Sequence, residues 1–223
     1  MHLEGETDRQ PTSPLAPLPA PPASLPFAHL NLRRNPFGEL DLALWAELAV
    51  VEVDHLVPRL KRRGYAVQFI GPKGRGKTTH MLALVRHFPL ARYVHVGENE
   101  SPRIPPSHPL FVDEIQRVPR RRRRRLFRRP VSLVIGTHED FRSELAASGF
   151  QVETIGVAGA LDARRLSEIL NLRIEAARRA PGPVPQVTLP TGQAMIDRFG
   201  DDVRAIQGAM YDLFQNLSGV QDV

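Results

Sequence analysis

Cysteine is absent from the 223 residues, which excludes disulfides and every zinc site built on thiolates. That absence suits a cytoplasmic protein. Lysine is nearly missing too, with three against 27 arginines, so a basic surface on this chain is made of guanidinium groups. The eight histidines form no metal-binding constellation and no H-E-x-x-H spacing. No run of eighteen apolar residues occurs, which argues against a membrane-spanning helix. The chain starts Met1-His2-Leu3-Glu4-Gly5-Glu6, acidic where a secretory leader is basic and then apolar. The length suits one substantial core plus a small appendage rather than two full domains.

What is abundant is arginine, and it is concentrated. Of a net charge of +6, eight arginines lie between Arg120 and Arg129, and the remainder of the chain is mildly acidic. The basicity is therefore local, and so is any inference about partners. Pro119 and Pro130 frame a segment of helix length. The six successive arginines Arg120 to Arg125 circle such a helix at 100° per residue instead of sharing one face. Val118, Leu126 and Phe127 anchor it weakly, leaving most guanidinium groups for solvent. Such a patch suits DNA or RNA, an acidic protein or an anionic membrane surface; the plainer alternative is a solvated, arginine-rich helix.

Along the chain, seven prolines between Pro11 and Pro26 and the lack of core residues predict a disordered or polyproline-like tail over 1–26. Leu44, Leu48, Val51 and His55 are spaced for a helix within 40–62, against which stand Val50, Val51, Val53 and Pro58. Short apolar runs at 65–70, 93–96, 109–114, 131–136 and 150–157 read as strands. Asp140 opens an amphipathic helix carrying Phe141 and Leu145. From Leu161 onward the pattern is helical: Asp162 caps a helix with Leu166, Ile169, Leu170 and Ile174. Thr191 caps a shorter one, and Asp202 starts a third with Val203, Ile206, Met210, Leu213 and Leu217. An α/β core over 27–158 and a helical unit over 159–223 follow.

Gly71-Pro72-Lys73-Gly74-Arg75-Gly76-Lys77-Thr78 fits the pattern G-x-x-x-x-G-K-[ST] without a mismatch. Polyphosphate needs many donors at once. Glycines let successive backbone N–H groups turn inward, and the following helix adds its N-terminal partial charge. Lys77 is expected to reach the β- and γ-phosphates and Thr78 to hold Mg²⁺, with Thr79 beside it. Upstream, Tyr65-Ala66-Val67-Gln68-Phe69-Ile70 reads as a buried strand; downstream, Met81, Leu84, Val85 and Phe88 recur at helical spacing until Pro89. About forty residues on, Pro109-Leu110-Phe111-Val112-Asp113-Glu114 ends an apolar strand in two acids. Asp113 is expected to reach Mg²⁺ through its water shell and Glu114 to polarise the attacking water. Thr137-His138-Glu139-Asp140, at the end of the next strand, is expected to face the γ-phosphate.

On these motifs the chain resembles an ATPase of the AAA+ superfamily, in the broad group of ExeA-, TniB- and Orc-like proteins, from about Asn35 to Leu217. The resemblance implies a P-loop NTPase fold with Walker A at 71–78 and Walker B at Asp113-Glu114. It implies a five-stranded parallel sheet in the order 5-1-4-3-2 and a small helical lid. Asn35-Pro36-Phe37 is similar to the segment that borders the adenine pocket in that group. Sensor 1 falls on Thr137 or His138, and Phe199-Gly200-Asp201-Asp202-Val203-Arg204 resembles the lid motif whose arginine, here Arg204, touches the γ-phosphate as sensor 2. Where the group carries its arginine finger, Ala146-Ala147-Ser148-Gly149-Phe150 has no arginine, and Arg142 lies one or two turns earlier. Oligomerisation thus comes without an evident finger. The short, proline-rich link before Asp113 leaves no room for the usual helix and pore loop.

The leading expectation is a switch that binds ATP with Mg²⁺, hydrolyses it slowly and couples lid position to a partner. Its competitors are a nucleic-acid-binding adaptor with structural nucleotide, a small-molecule kinase and a GTPase. The adjacent acids and Arg204 argue against the kinase. Against the GTPase, Thr137-His138-Glu139-Asp140 lacks the lysine of [NT]-K-x-D, and Asp113-Glu114-Ile115-Gln116 lacks the glycine of D-x-x-G.

Overall fold

The structure is a computed structural model that describes residues 26–159 and 161–223; the tail expected at 1–26 lies, but for Pro26, outside the described residues. Five strands, β1 Tyr65–Ile70, β2 Arg92–His95, β3 Leu110–Asp113, β4 Leu133–Thr137 and β5 Gln151–Gly156, are joined through helices except between β2 and β3. The helices are α1 Leu42–Glu47, α2 Val57–Leu60, α3 Lys77–Val85, α4 Arg120–Phe127, α5 Arg142–Ala147, α6 Ala163–Ala176, α7 Leu189–Phe199 and α8 Val203–Gln215. All strand pairs are parallel, in the order β2-β3-β4-β1-β5, the expected 5-1-4-3-2 read from the other edge. Every strand therefore delivers its C-terminal end to the same edge of the sheet.

The sheet is covered on both faces, which is why its strands read as continuous apolar runs rather than as alternation. Ala66, Leu110, Val112, Leu133 and Ile135 turn to one side, against Leu126 and Phe127 of α4 and Leu145 of α5. Val67, Phe69, Phe111 and Val134 turn to the other, against Met81 and Leu84 of α3. Gln68, buried among the first set, accepts from Phe141 N at 2.7 Å and donates to Asp140 Oδ1 at 2.7 Å. A buried amide thus fixes the start of α5.

The helix expected over 40–62 is instead two short pieces, α1 and α2. Val50, Val51 and Val53 lie between them, outside any helix, because successive β-branched side chains crowd the preceding turn. Pro58 stands in the first turn of α2, where its missing N–H costs nothing. A similar shift occurs at α7. Thr188, not Thr191, caps it, accepting from Thr191 N at 3.4 Å, and Pro190 falls in the first turn.

The connection 96–109 holds no helix and is held down by the arginine run. Arg122 donates to Ser101 Oγ at 2.6 Å and to Pro102 O, and Arg129 donates to Pro105 O at 3.2 Å and Ile104 O at 3.3 Å. Arg123 is buried, 4.4 Å from the Phe141 ring centre, donating to Val118 O at 3.1 Å and Glu144 at 3.4 Å. Three of the eight arginines are therefore structural.

Helices α6 to α8 close a separate cluster that includes Leu166, Leu170, Ile174, Ile206, Met210 and Phe214. Leu30, Leu32 and Phe37 join it. Residues 27–38, placed by sequence with the α/β core, thus pack on the C-terminal helices: Arg33 N donates to Ala177 O at 2.8 Å and Arg179 N to Asn31 O at 2.9 Å. Their apolar side chains find a free face there, whereas α2 to α5 already cover the sheet. Among the described residues no helix is long and apolar enough to cross a membrane.

At the outer strand, Glu153 accepts from Arg59 at 2.6 Å and from the Tyr65 hydroxyl. Burial pushes the Glu153 carboxyl up, but the Tyr65 and Arg59 hydrogen bonds outweigh it and leave the group below its usual range. A carboxylate so lowered stabilises the fold above the unfolded value of roughly 4.3 and loses that contribution as pH falls through the folded value. Urea midpoints of wild type and Glu153→Gln should differ most above about pH 5 and converge as pH falls through the folded value; a gap constant with pH would contradict this role.

Candidate functional site

The loop between β1 and α3 turns sharply at Gly74 and Gly76, both in the left-handed region (φ 85° and 90°), where a side chain is strained. A side chain at Gly74 would also have to displace Asp202, because a Cβ would lie 2.4 Å from its Oδ1 at the start of α8. Gly74→Ala should therefore lower stability by about 1–3 kcal/mol. Denaturant unfolding checks this, and an unchanged midpoint would mean that the loop and α8 yield freely.

Lys77, the first residue of α3, is 5 % exposed and donates to Gly71 O and Pro72 O, each at 2.8 Å. Burial holds its ammonium below the ordinary lysine value; Glu114 and Asp113 oppose that shift and Arg204 adds to it. No side chain caps the N-terminus of α3, so its first N–H groups are left for a ligand or solvent. Lys77, Thr78 and Thr79 line the adjoining cavity.

Opposite stands the end of β3. Asp113 is fully buried and accepts from Thr78 Oγ1 at 2.7 Å, Tyr93 OH at 2.9 Å and Glu114 N at 3.0 Å, with His95 Nδ1 at 3.5 Å. Burial pushes the Asp113 carboxyl up, but His95, Thr78 and Tyr93 together outweigh it and hold it below the usual value. In return the Asp113 hydrogen bond raises His95, and burial, then Asp113, pushes Tyr93 well up. Gly136 on β4 makes room for this carboxylate: a Cβ there would lie 2.1 Å from Asp113 Oδ1. Glu114 follows in the left-handed region at φ 58°, an uncommon conformation for a residue with a side chain. Its carboxylate lines the cavity, accepts from Gln116 Nε2 at 2.5 Å and lies 3.6 Å from Arg117.

The cavity enclosed by these elements measures about 460 Å³. Lys73, Gly74, Arg75, Gly76, Lys77, Thr78, Thr79, Glu114 and Arg204 all line it. Seven lysine and arginine side chains stand in its wall against three acids, Glu98, Glu114 and Asp201. Arg75 is ion-paired with Asp201, which also accepts from Gly159 N at 2.8 Å, and so joins the loop to the turn before α8. The wall also holds the apolar side chains of Leu40, Trp45, Val50, Val51, Leu161 and Ile169.

Thr137, His138, Asn35, Pro36 and Phe37 do not line this cavity. The Thr137 hydroxyl is buried in a turn, accepting from Glu139 N and donating to Glu139 O, both at 2.9 Å. His138 is exposed. Asn35 donates to Tyr211 O at 3.0 Å, and Phe37 meets Phe214 edge to face at 5.0 Å. Pro36 touches the wall from behind, its carbonyl accepting from Arg173 Nε at 2.9 Å.

Sequence reasoning passed over Trp45, His80, Arg165 and Arg173, all in the wall. Trp45 Nε1 donates to Thr79 Oγ1 at 3.1 Å, and Arg165 Nη2 to Val50 O at 3.0 Å. Arg173 is buried, and burial, then Arg34, brings it down to about 10. A signal did exist: Arg165, Ile169 and Arg173 recur every four residues and so share one face of α6. The chain matches no protein-family model and no curated protein.

Proposed function

We propose that this cavity binds a nucleoside triphosphate with Mg²⁺, and more particularly that the protein is a slow ATPase of the AAA+ kind, with α6 to α8 as its lid. The observation that carries the reading is one cavity whose wall joins basic side chains around the uncapped start of α3 to a set of apolar ones. Polyphosphate suits the first and a purine base the second.

Thr78 and Asp113 fit Mg²⁺. They are hard oxygen donors 2.7 Å apart, and among the described residues no group of three His, Cys, Asp or Glu could hold a metal by itself. Such a pair is what Mg²⁺ uses when phosphate oxygens and water complete its shell. Bound there, the ion neutralises charge on the phosphate oxygens. Lys77 and the α3 N–H groups would hold the β- and γ-phosphates, Arg204 would close on the γ-phosphate, and Glu114 would orient water. Three present hydrogen bonds favour slow turnover: Lys77 must leave Gly71 O and Pro72 O, and Glu114 must leave Gln116. The Arg75–Asp201 pair offers a route from the loop to the lid.

Against guanine, Asp140 is occupied by Gln68 Nε2 at 2.7 Å and Arg142 N at 2.8 Å and lies outside the cavity wall. Calorimetry with Mg²⁺ should give saturable ATP binding, weaker GTP binding, and phosphate release on incubation with ATP. No binding of either nucleotide would overturn the reading.

A further inference from the structure

The helix α4 sorts its arginines. Arg122 and Arg123 turn inward with Leu126 and Phe127, while Arg120, Arg121, Arg124, Arg125 and Arg128 are exposed. At 100° per residue these five fall within an arc of about 140°. Six successive arginines do circle the helix, yet packing leaves a single stripe, about 12 Å long at 1.5 Å per residue. Among the described residues, none of the five has an ion-pair or side-chain hydrogen-bond partner; the neighbouring acid, Glu144, is held by Arg123. None of them lines the cavity. The stripe continues past the helix. Gly64 N donates to Val131 O at 3.1 Å, which brings the exposed Lys61, Arg62 and Arg63 alongside the segment that follows Arg128. Residues 60–64 and 119–132 contain no acid.

We propose that this stripe binds the phosphate backbone of duplex nucleic acid without regard to base sequence. Guanidinium forks match phosphate oxygens in pairs. A protein partner would need desolvated apolar or aromatic anchors at the centre of its contact, and the exposed arc of α4 carries arginine only. Single strands are held by aromatic platforms that stack bases, and anionic membranes by apolar side chains that insert; the arc has neither. Arginine can reach guanine edges, but the arc has no asparagine, glutamine or acid to read adenine or cytosine. Because the stripe and the cavity share no residue, the proposal does not rest on nucleotide binding.

The test uses nucleotide-free full-length protein and a labelled 25-base-pair DNA duplex, followed by fluorescence anisotropy across a salt series. Wild type should bind with a steep salt dependence. Replacing all five stripe arginines by glutamine should weaken binding at least about 30-fold near 0.1 M salt and lower the log–log slope by up to about 4.5, at 0.9 per lost phosphate contact. A charge-matched variant, with the exposed Arg33, Arg34, Arg164, Arg179 and Arg198 changed to glutamine, should bind within about threefold of wild type. Should the fivefold stripe variant fail to fold, Arg121→Gln with Arg125→Gln should still lower the slope by up to about 1.8. Equal losses in stripe and charge-matched variants would overturn the proposal. So would tighter binding to single-stranded DNA, to polyglutamate or to phosphatidylserine vesicles than to the duplex.

Discussion

Lys77→Ala should bind ATP at least about 100-fold more weakly than wild type in the presence of Mg²⁺, the largest effect on ATP affinity expected of any single change in this protein. A hydrogen bond to a charged group contributes about 1.5–3 kcal/mol, and in the proposed complex Lys77 serves two phosphates. Loss of both contacts amounts to roughly 3 kcal/mol or more, hence two orders of magnitude. The substitution has a second consequence in the free protein. Lys77 now donates to Gly71 O and Pro72 O, and its removal leaves two carbonyls without that donor. Because neither Gly71 nor Pro72 is buried, water can replace the lost donor, and stability should fall by only about 1 kcal/mol. Calorimetry and a denaturant curve on the same sample separate the two effects. Undiminished ATP affinity in a folded Lys77→Ala protein would refute a phosphate-binding role for this loop.

Glu114→Gln should reduce ATP turnover by about 10²- to 10⁴-fold, the range associated with a positioned acid or base. Affinity for ATP should stay within a few-fold of wild type. The amide keeps the volume of the carboxylate and can still accept from Gln116, whose Nε2 now lies 2.5 Å from Glu114 Oε2. What is lost is the negative charge proposed to polarise water, together with the long contact to Arg117 at 3.6 Å. Stability should change little, since Glu114 lies at the cavity edge and surface pairs contribute under about 1 kcal/mol. Single-turnover phosphate release beside equilibrium binding reads both quantities. Equal turnover in wild type and variant would assign water activation to another group, and a parallel loss of binding would make Glu114 a binding residue instead.

These expectations were legible early because the residues concerned are local. The run 65–70, the glycines at 74 and 76 and the apolar spacing of α3 each act within a few positions, through strand propensity, backbone freedom and helical period. Asp113 and Glu114 were legible because parallel strands present their C-terminal ends together, so an apolar run ending in acids points to the same edge as the loop. The helix over 40–62 failed locally too. Its apolar spacing competed with three valines, and the backbone took the conformation the valines prefer.

Other features needed the folded chain. That Arg122 and Arg129 hold the 96–109 connection while Arg120, Arg121, Arg124, Arg125 and Arg128 face solvent depends on what packs beside α4. Identical residues in a row carry no mark of which will be buried. Phe37 left the cavity for Phe214, some 177 positions away, because the face of α8 was free and the sheet was not. Trp45, Arg165 and Arg173 reached the cavity wall only through closure of α1 and α6 over the loop. By itself the sequence determined the strands, the turn into α3 and the two acids that end β3, since propensity and period act over a few residues; the parallel order came only with the family resemblance. Only the tertiary structure decided which arginines are structural, what walls the cavity and where Asn35, Pro36 and Phe37 go, because those outcomes depend on competition among distant apolar faces for the same partners.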